Sequence, residues 1–200
     1  MPTDQIQPRL DADQTQRSFH VFLHALAEPG SIHHLDVSHL APGVPAPAML
    51  ALTLADVEVA INVDGDAASP LGQLLCATTG ARSTDPEHAD LVILTGPGPD
   101  VVARCDPGTA LEPERGTRLA VRVDAVRTDP DPGDLVVTLA GPGVPGARVI
   151  GLAGVPGALL HRLAEANAAF PAGFDTWFIT DEGDTCALPR STQLTITEEN

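Results

Sequence analysis

Lysine is absent from all 200 residues, and this absence excludes two classes of enzyme. Pyridoxal-phosphate enzymes form a Schiff base with a lysine amine, and a Walker A loop uses a lysine to reach the nucleotide phosphates. All 11 of the Lys+Arg residues are arginines, which stay protonated at any working pH and cannot act as base or nucleophile. We therefore expect neither pyridoxal phosphate nor any other cofactor on this chain.

Positive charge is also scarce. The chain carries 27 acidic residues against its 11 arginines, which gives a formal net charge of -16. Such a surface repels nucleic acid and anionic lipid, so we expect neither a nucleic-acid partner nor a membrane partner. The excess of acid favours solubility. The alternative interpretation is an acidic face that docks on a basic partner protein.

Cysteine is rare and its spacing is uninformative about metal or disulfide sites. Cys76, Cys105 and Cys186 are odd in number, far apart, and form no C-x-x-C pair, which favours a reduced, cytoplasmic setting. Cys76 and Cys186 lie among apolar neighbours and are interpreted as buried thiols. The polar start, Met1–Asp13, has no apolar signal core. No apolar run approaches the roughly eighteen residues of a membrane span.

A hydrophobic content of 43% is enough for one sizeable core. We predict a flexible arm over residues 1–12, a single α/β domain over 13–197 and a tail over 198–200. Four helices are predicted. The first runs from an N-cap at Asp13 to Pro29-Gly30 and has its large apolar groups on one stripe; these are Phe19, Phe22, Leu23 and Leu26. The others cover Met49–Ala55, Pro70–Thr78 and Ala158–Ala168.

Strands are predicted between and after these helices. They cover Val57–Val63, Leu91–Thr95, Arg118–Val126, Leu135–Ala140, Thr176–Thr180, Thr185–Leu188 and, as a weak edge strand, Thr192–Thr197. Arg118–Val126 is expected to pair with Leu135–Ala140 as a hairpin, and Thr176–Thr180 with Thr185–Leu188. Helices mixed with hairpin-connected strands predict a mixed β-sheet with helices packed on its faces, rather than a purely parallel doubly wound fold.

Histidines concentrate near the first helix. His20 and His24 are four residues apart, so they share a helix face and offer two metal ligands. The stretch lacks the H-E-x-x-H pattern, and a partly exposed helix flank is the competing interpretation. An independent metal-dependent hydrolase that uses His20 and His24 is the alternative function.

Two Gly-Pro-Gly loops each follow a predicted strand, at Gly96-Pro97-Gly98 and Gly141-Pro142-Gly143. Glycine-rich loops bind phosphate through backbone N–H groups, but each proline removes one of these donors. Arg148 follows the second loop and could supply a positive charge. A rigid turn at the end of a strand is the competing interpretation.

The segment Pro189-Arg190-Ser191-Thr192 places an arginine beside two hydroxyls, which suits a phosphate or a carboxylate. Asp175 stands at the entry of the preceding hairpin. An ion pair between Arg190 and Asp175 that closes the two ends of the hairpin is the competing interpretation.

Several segments, considered together, resemble the PhnH family of phosphonate metabolism proteins, which are components of the bacterial carbon–phosphorus lyase system. The segments are Arg17–Gly30, Leu52–Asp56, Gly108–Thr117, Leu139–Val144, Phe170–Asp175 and Leu188–Thr192. None is specific alone, but their order and spacing over residues 17–192 carry the match. His20, Gly116-Thr117 and Ser191 depart from the family pattern.

The resemblance implies a fold like the large domain of aspartate-aminotransferase-type pyridoxal enzymes, without the cofactor. It implies that the chain works with subunits G, I and L to transfer the ribose triphosphate group of ATP to a phosphonate such as methylphosphonate, with release of adenine. It also implies a homodimer in isolation and a larger core assembly with subunits G, I and J. The family supplies no catalytic residue to carry over. Gly141, Pro142, Gly143, Arg148, Asp175, Pro189, Arg190 and Thr192 are the candidates for subunit contact or phosphate binding.

Overall fold

The computed structural model describes residues 9–66 and 68–197. The helices are α1 (Ala12–Ala27), α2 (Ala48–Leu54), α3 (Pro70–Thr79), α4 (Pro99–Val102) and α5 (Gly157–Asn167), with short 3₁₀ turns at Pro86–His88 and Pro113–Arg115. The strands are β1 (His33–His34), β2 (Ala60–Val63), β3 (Arg82–Ser83), β4 (Leu91–Leu94), β5 (Arg118–Arg122), β6 (Ala125–Arg127), β7 (Leu135–Ala140), β8 (Arg148–Ala153), β9 (Asp175–Ile179), β10 (Asp184–Leu188) and β11 (Gln193–Thr197).

The central layer is a seven-stranded mixed sheet in the order β1-β10-β9-β5-β4-β2-β3. Strands β3, β2, β4, β5 and β9 are parallel, while β10 runs antiparallel to β9 and β1 antiparallel to β10. The predicted mixed sheet and the predicted hairpin of β9 with β10 are confirmed. The strand predicted at 192–197 is β11.

Alternate residues of the central strands point to opposite faces, and both faces are covered. In β4, Leu91 and Ile93 join α1, α2 and α3 in one apolar cluster, while Val92 and Leu94 join α5 and the second sheet in the other. Burial on both sides explains why β4 is an unbroken apolar run in the sequence.

A second, antiparallel sheet in the order β11-β7-β8-β6 covers one face of the central sheet. The predicted strand Arg118–Val126 is wrong as one element, because β5 lies in the central sheet and β6 in the second. The predicted hairpin with Leu135–Ala140 is wrong as well, because β7 pairs with β8 and β11. Strand β8 was not predicted. Its Gly151 interrupts the apolar run at a point where an added Cβ would lie 2.5 Å from Asp134 Oδ2.

Helix α1 begins two residues earlier than predicted. Asp11, not Asp13, is the N-cap; its carboxylate accepts the backbone N–H of Gln14, and the Gln14 side chain accepts the N–H of Asp11. The helix buries Ser18, Phe22 and Ala25. Of the arm predicted over residues 1–12, residues 1–8 lie outside the described residues, as does the tail at 198–200, and Ala12 belongs to α1.

Two predictions of buried faces are wrong at particular residues. Phe19 is 45% exposed and Leu23 is 49% exposed. The buried face of α1 is centred on Phe22 and Ala25, so Phe19 and Leu23 lie at its edges. The strand predicted from Val57 begins only at Ala60, and Val57 is 70% exposed. Helices α2, α3 and α5 lie within one residue of their predicted bounds.

Candidate functional site

Arg190 and Asp175 form a largely buried ion pair at the start of β9. Arg190 Nη2 donates to Asp175 Oδ2 at 2.8 Å, and Nε lies 3.2 Å from both carboxylate oxygens. The backbone N–H of Arg190 donates to Oδ1 at 2.9 Å. The side chains are only 11% and 20% exposed. The ion pair that closes the ends of the β9–β10 hairpin is therefore present.

The same guanidinium reaches a third segment of the chain. Its Nη1 donates to the carbonyl of Pro113, so Nε and both terminal nitrogens each donate a hydrogen bond inside the protein. The neighbouring Gly173 N–H donates to the Pro107 carbonyl at 2.8 Å. Hydrogen bonds at this point therefore join three loops that contain family-like segments, around residues 107–117, 170–175 and 188–192.

The loop Gly141-Pro142-Gly143 packs against protein on both sides. A Cβ on Gly141 would lie 3.0 Å from the Ser191 carbonyl, and one on Gly143 would lie 2.5 Å from the Ala27 carbonyl. Both glycines have positive φ, 129° and 79°. Close approach and backbone conformation account for the glycines, which favours a rigid turn.

Arg148 binds the segment after α1, against which the Gly143 turn also packs. Its Nη1 donates to the carbonyls of Pro29 at 2.6 Å and Glu28 at 3.4 Å, just beyond the carboxyl end of α1. The Glu28 carbonyl also accepts the N–H and the hydroxyl of Ser31, so the closer contact of Arg148 is with the Pro29 carbonyl. The structure therefore does not bring Arg148 to Arg190.

A cleft of about 410 Å³ lies beside the ion pair, between the carboxyl half of α5 and the start of β11. Pro142, Arg190 and Thr192 line it, and Phe170 at its rim is 62% exposed. The hydroxyl of Thr192 is buried and makes no hydrogen bond within the described residues. Since Arg190 is engaged by Asp175, the cleft offers a partner mainly apolar and neutral polar surface.

The loop Gly96-Pro97-Gly98 and the preceding Thr95 bind a carboxylate of the protein itself, that of Asp64. Asp64 accepts the backbone N–H groups of Thr95 at 2.6 Å and Gly96 at 3.3 Å, as well as the Thr95 hydroxyl. Asp64 has a positive φ of 50°, a conformation that Asp tolerates better than most residues. Because a carboxylate occupies these donors, the loop Gly96-Pro97-Gly98 is not available as a phosphate cradle. No local pattern in the sequence indicates this contact.

A larger cleft, of about 670 Å³, lies at the carboxyl edge of the parallel strands and includes Thr95 and Leu71. The connections from β2 and β4 leave in opposite directions here, and ligands of open α/β sheets commonly bind at such a point. Arg122 lines it, but Asp181 engages its Nε at 3.1 Å and also its Nη2. Arg122 is the last residue of β5, and no pattern in the sequence singled it out as a site residue.

His20 and His24 lie side by side, with ring centroids 6.2 Å apart, and His33 lies 6.3 Å from His24. In the part of the chain that the structure describes, no group of three or more His, Cys, Asp or Glu side chains is arranged to hold a metal ion. The structure therefore gives no support to a metal-dependent hydrolase that uses His20 and His24.

The cysteines are poor nucleophiles. Burial raises the pKa of Cys105 and Cys186 to about 12 and also raises the pKa of the half-buried Cys76. The thiolate is the reactive form, so a raised pKa removes it at neutral pH. Within the described ranges 9–66 and 68–197, no helix is both long and apolar enough to cross a membrane.

The fold and the site define a mixed α/β protein whose sequence-signature loops converge on an internal ion pair. The family model for the bacterial phosphonate metabolism protein (PhnH) matches residues 9–195. A comparison with curated proteins finds no match. Because the family model covers nearly the whole chain, the chain belongs to the PhnH family, which takes part in bacterial phosphonate metabolism.

Proposed function

We propose that this chain is an auxiliary, non-catalytic component of a carbon–phosphorus lyase system. With subunits G, I and L it supports transfer of the ribose triphosphate group of ATP to a phosphonate such as methylphosphonate, with release of adenine. The larger core assembly contains subunits G, I and J besides this chain, and the isolated chain is a cytoplasmic homodimer. The observation that carries the proposal is the family match over residues 9–195.

The chemistry of the chain supports an auxiliary role. There is no lysine for pyridoxal phosphate, and none of the arginines can serve as a base. Arg190 is committed to Asp175 and Pro113, and burial raises the pKa of Cys105 and Cys186 to about 12. The mixed sheet with helices on its faces is compatible with the proposed likeness to the large domain of pyridoxal transferases.

The surface around the 410 Å³ cleft is the proposed contact with a partner protein. The ion pair of Arg190 with Asp175 leaves no unpaired charge there to desolvate, which favours protein contact over phosphate binding. Phe170, 62% exposed at the rim, offers the aromatic anchor common at interfaces. The net charge of -16 favours a partner that is basic around this contact.

The central experiment is an adenine-release assay. Subunits G, I and L are co-expressed with and without this chain, and adenine is measured after addition of ATP and methylphosphonate. We expect release to require the chain. Equal release without it would contradict a role in this reaction.

A second experiment tests the contact surface. Phe170→Asp places a charge at the rim of the cleft and should weaken co-purification with the partner proteins. Val57→Asp is the matched control, because Val57 is 70% exposed in the loop before β2. Loss of co-purification with both variants, or with neither, would contradict the assignment of this surface.

A further inference from the structure

A separate cleft of about 360 Å³ lies between α1 and the segment 34–39, on the face of the central sheet away from the second sheet. Arg17, Ser18 and Val21 line it from the helix, and Leu35 and His39 line it from the segment. Its volume is at the small end for ligand sites, and its walls combine apolar side chains with a few polar groups.

Arg17 is an exposed arginine without a carboxylate partner among the described residues. The 27 acidic residues outnumber the 11 arginines, and six arginines pair with a carboxylate; these are Arg104, Arg115, Arg122, Arg127, Arg162 and Arg190. Among the described residues, Arg17 makes neither an ion pair nor a hydrogen bond, although Asp13 stands one helical turn away. Because the residue is exposed, its guanidinium donors are open to solvent and can bind a ligand in the cleft.

Ser18 is a second polar group without a partner. The residue is only 5% exposed, yet it lines the cleft. Its hydroxyl makes no hydrogen bond within residues 9–66 and 68–197. It is not among the buried side-chain atoms that lack a partner, so it is open to the cleft and can donate a hydrogen bond to a ligand there.

The carboxylate of Asp36, which also lines the cleft, is hydrogen-bonded within its own segment. Asp36 Oδ1 accepts the backbone N–H of Ser38 at 3.0 Å and its hydroxyl at 2.6 Å. Asp36 Oδ2 lies 2.9 Å from His39 Nε2. Both oxygens are thus engaged by donors of their own segment rather than by Arg17. His20 and His34 add two further imidazoles to the wall.

We propose that this cleft binds a small phosphonate- or phosphate-type oxyanion that carries a short apolar group. The Arg17 guanidinium and the Ser18 hydroxyl bind the oxygens, and the partly exposed Val21 contacts the apolar group. The choice of oxyanion rests on the proposed function in phosphonate metabolism, while the charge and the apolar wall are features of the cleft itself.

The test is titration of the full-length isolated chain with methylphosphonate and with inorganic phosphate, followed by calorimetry and by phosphorus NMR. The variants are Arg17→Gln and Ser18→Ala. Arg162→Gln is the control, since it removes the same charge from an exposed position on α5. The fluorescence of Trp177, which is 3% exposed, reports whether each variant is folded.

We expect saturable binding of methylphosphonate, weakened roughly tenfold or more by Arg17→Gln and a few-fold by Ser18→Ala. Arg162→Gln should bind like the wild type. The apolar wall should make methylphosphonate bind more tightly than phosphate, and the reverse order would overturn the assigned apolar contact. Absence of saturation in the wild type, or equal loss in Arg17→Gln and Arg162→Gln, would overturn the site.

Failure of the site and failure of the proposed function give different results. If the chain binds methylphosphonate but adenine release proceeds without it, the site stands and the auxiliary role fails. If adenine release requires the chain but the chain does not bind the oxyanion, the role stands and the site fails.

Discussion

Breaking the ion pair between Arg190 and Asp175 should destabilise the protein strongly. Arg190→Met removes the guanidinium but keeps most of the length of the side chain. Asp175, whose side chain is 20% exposed, would then keep the backbone N–H of residue 190 and lose its charged partner. Removal of one partner of a buried pair costs about 3–5 kcal/mol, because an uncompensated buried charge remains.

The companion variant separates the pair from general packing. Asp175→Asn added to Arg190→Met removes the stranded charge while its amide oxygen still accepts the backbone N–H. The double variant should recover about 1–3 kcal/mol relative to Arg190→Met alone. Arg162→Met is the control, since Arg162 and Glu165 are 54% and 74% exposed and such a pair contributes at most about 1 kcal/mol.

The assay is urea unfolding followed by the fluorescence of Trp177, the single tryptophan, whose indole N–H donates to the Phe22 carbonyl in the core. The midpoint should shift while the slope stays constant. A loss below about 1 kcal/mol for Arg190→Met would mean that water screens the pair as it does on a surface. Further destabilisation in the double variant would refute the argument from uncompensated charge.

Three further predictions test burial, backbone conformation and capping. Burial raises the pKa of Cys105 and Cys186 to about 12, so both thiols should react with a thiol reagent only after unfolding. Above about pH 9 the thiols ionise in the unfolded chain but stay protonated in the folded one. The free energy of unfolding should therefore be constant below about pH 9 and fall toward pH 12, by up to about 1.4 kcal/mol per pH unit for each thiol. With no lysine and no tyrosine in the chain, replacing both thiols by alanine should flatten that decline in urea titrations, and an unchanged slope would contradict the assignment. Gly183→Ala should lower the free energy of unfolding by roughly 3 kcal/mol, because Gly183 has a φ of +99° and its Cβ would lie 2.1 Å from the Leu35 carbonyl; a thermal unfolding curve like that of the wild type would contradict this. Asp11→Ala should lower it by about 1 kcal/mol through loss of the capping box, measured by urea unfolding, and no change would show that packing alone sets the start of α1.

The sequence predicted those helices and hairpins that are determined by residues close together in the chain. Ser69 with Pro70 marks the start of α3, and the short turn between β9 and β10 marks a hairpin. The chain leaves the central sheet after β5 and enters the second sheet at β6. The two residues between these strands, Val123 and Asp124, continue the alternation of buried and exposed residues, so the sequence pattern did not reveal the change of sheet. Sheet membership is decided by pairing with distant strands, which no local pattern records.

In the candidate site, too, the sequence indicated a contact between residues around one hairpin but not the contacts with distant segments. The spacing of Arg190 and Asp175 around a hairpin was enough to suggest their ion pair as one of two interpretations, the other being a phosphate or carboxylate site at Arg190. Nothing in the sequence showed that Arg190 also reaches the Pro113 carbonyl, or that Asp64 fills the loop at Gly96, because these partners are brought together only by the tertiary fold.

The order of strands has a consequence for synthesis of the protein on the ribosome. β9 joins β5 to β10, and β1 pairs only with β10, while β11 supplies the last strand of the second sheet. Neither sheet is complete until the residues of β10 and β11 have been made, although α1 is made first. A chain that stops before β9 therefore exposes the pairing edge of β5 and the apolar faces that both sheets share. We expect nascent chains to depend on chaperones until these strands emerge, and nonsense truncations before β9 to be degraded as thoroughly as much earlier ones.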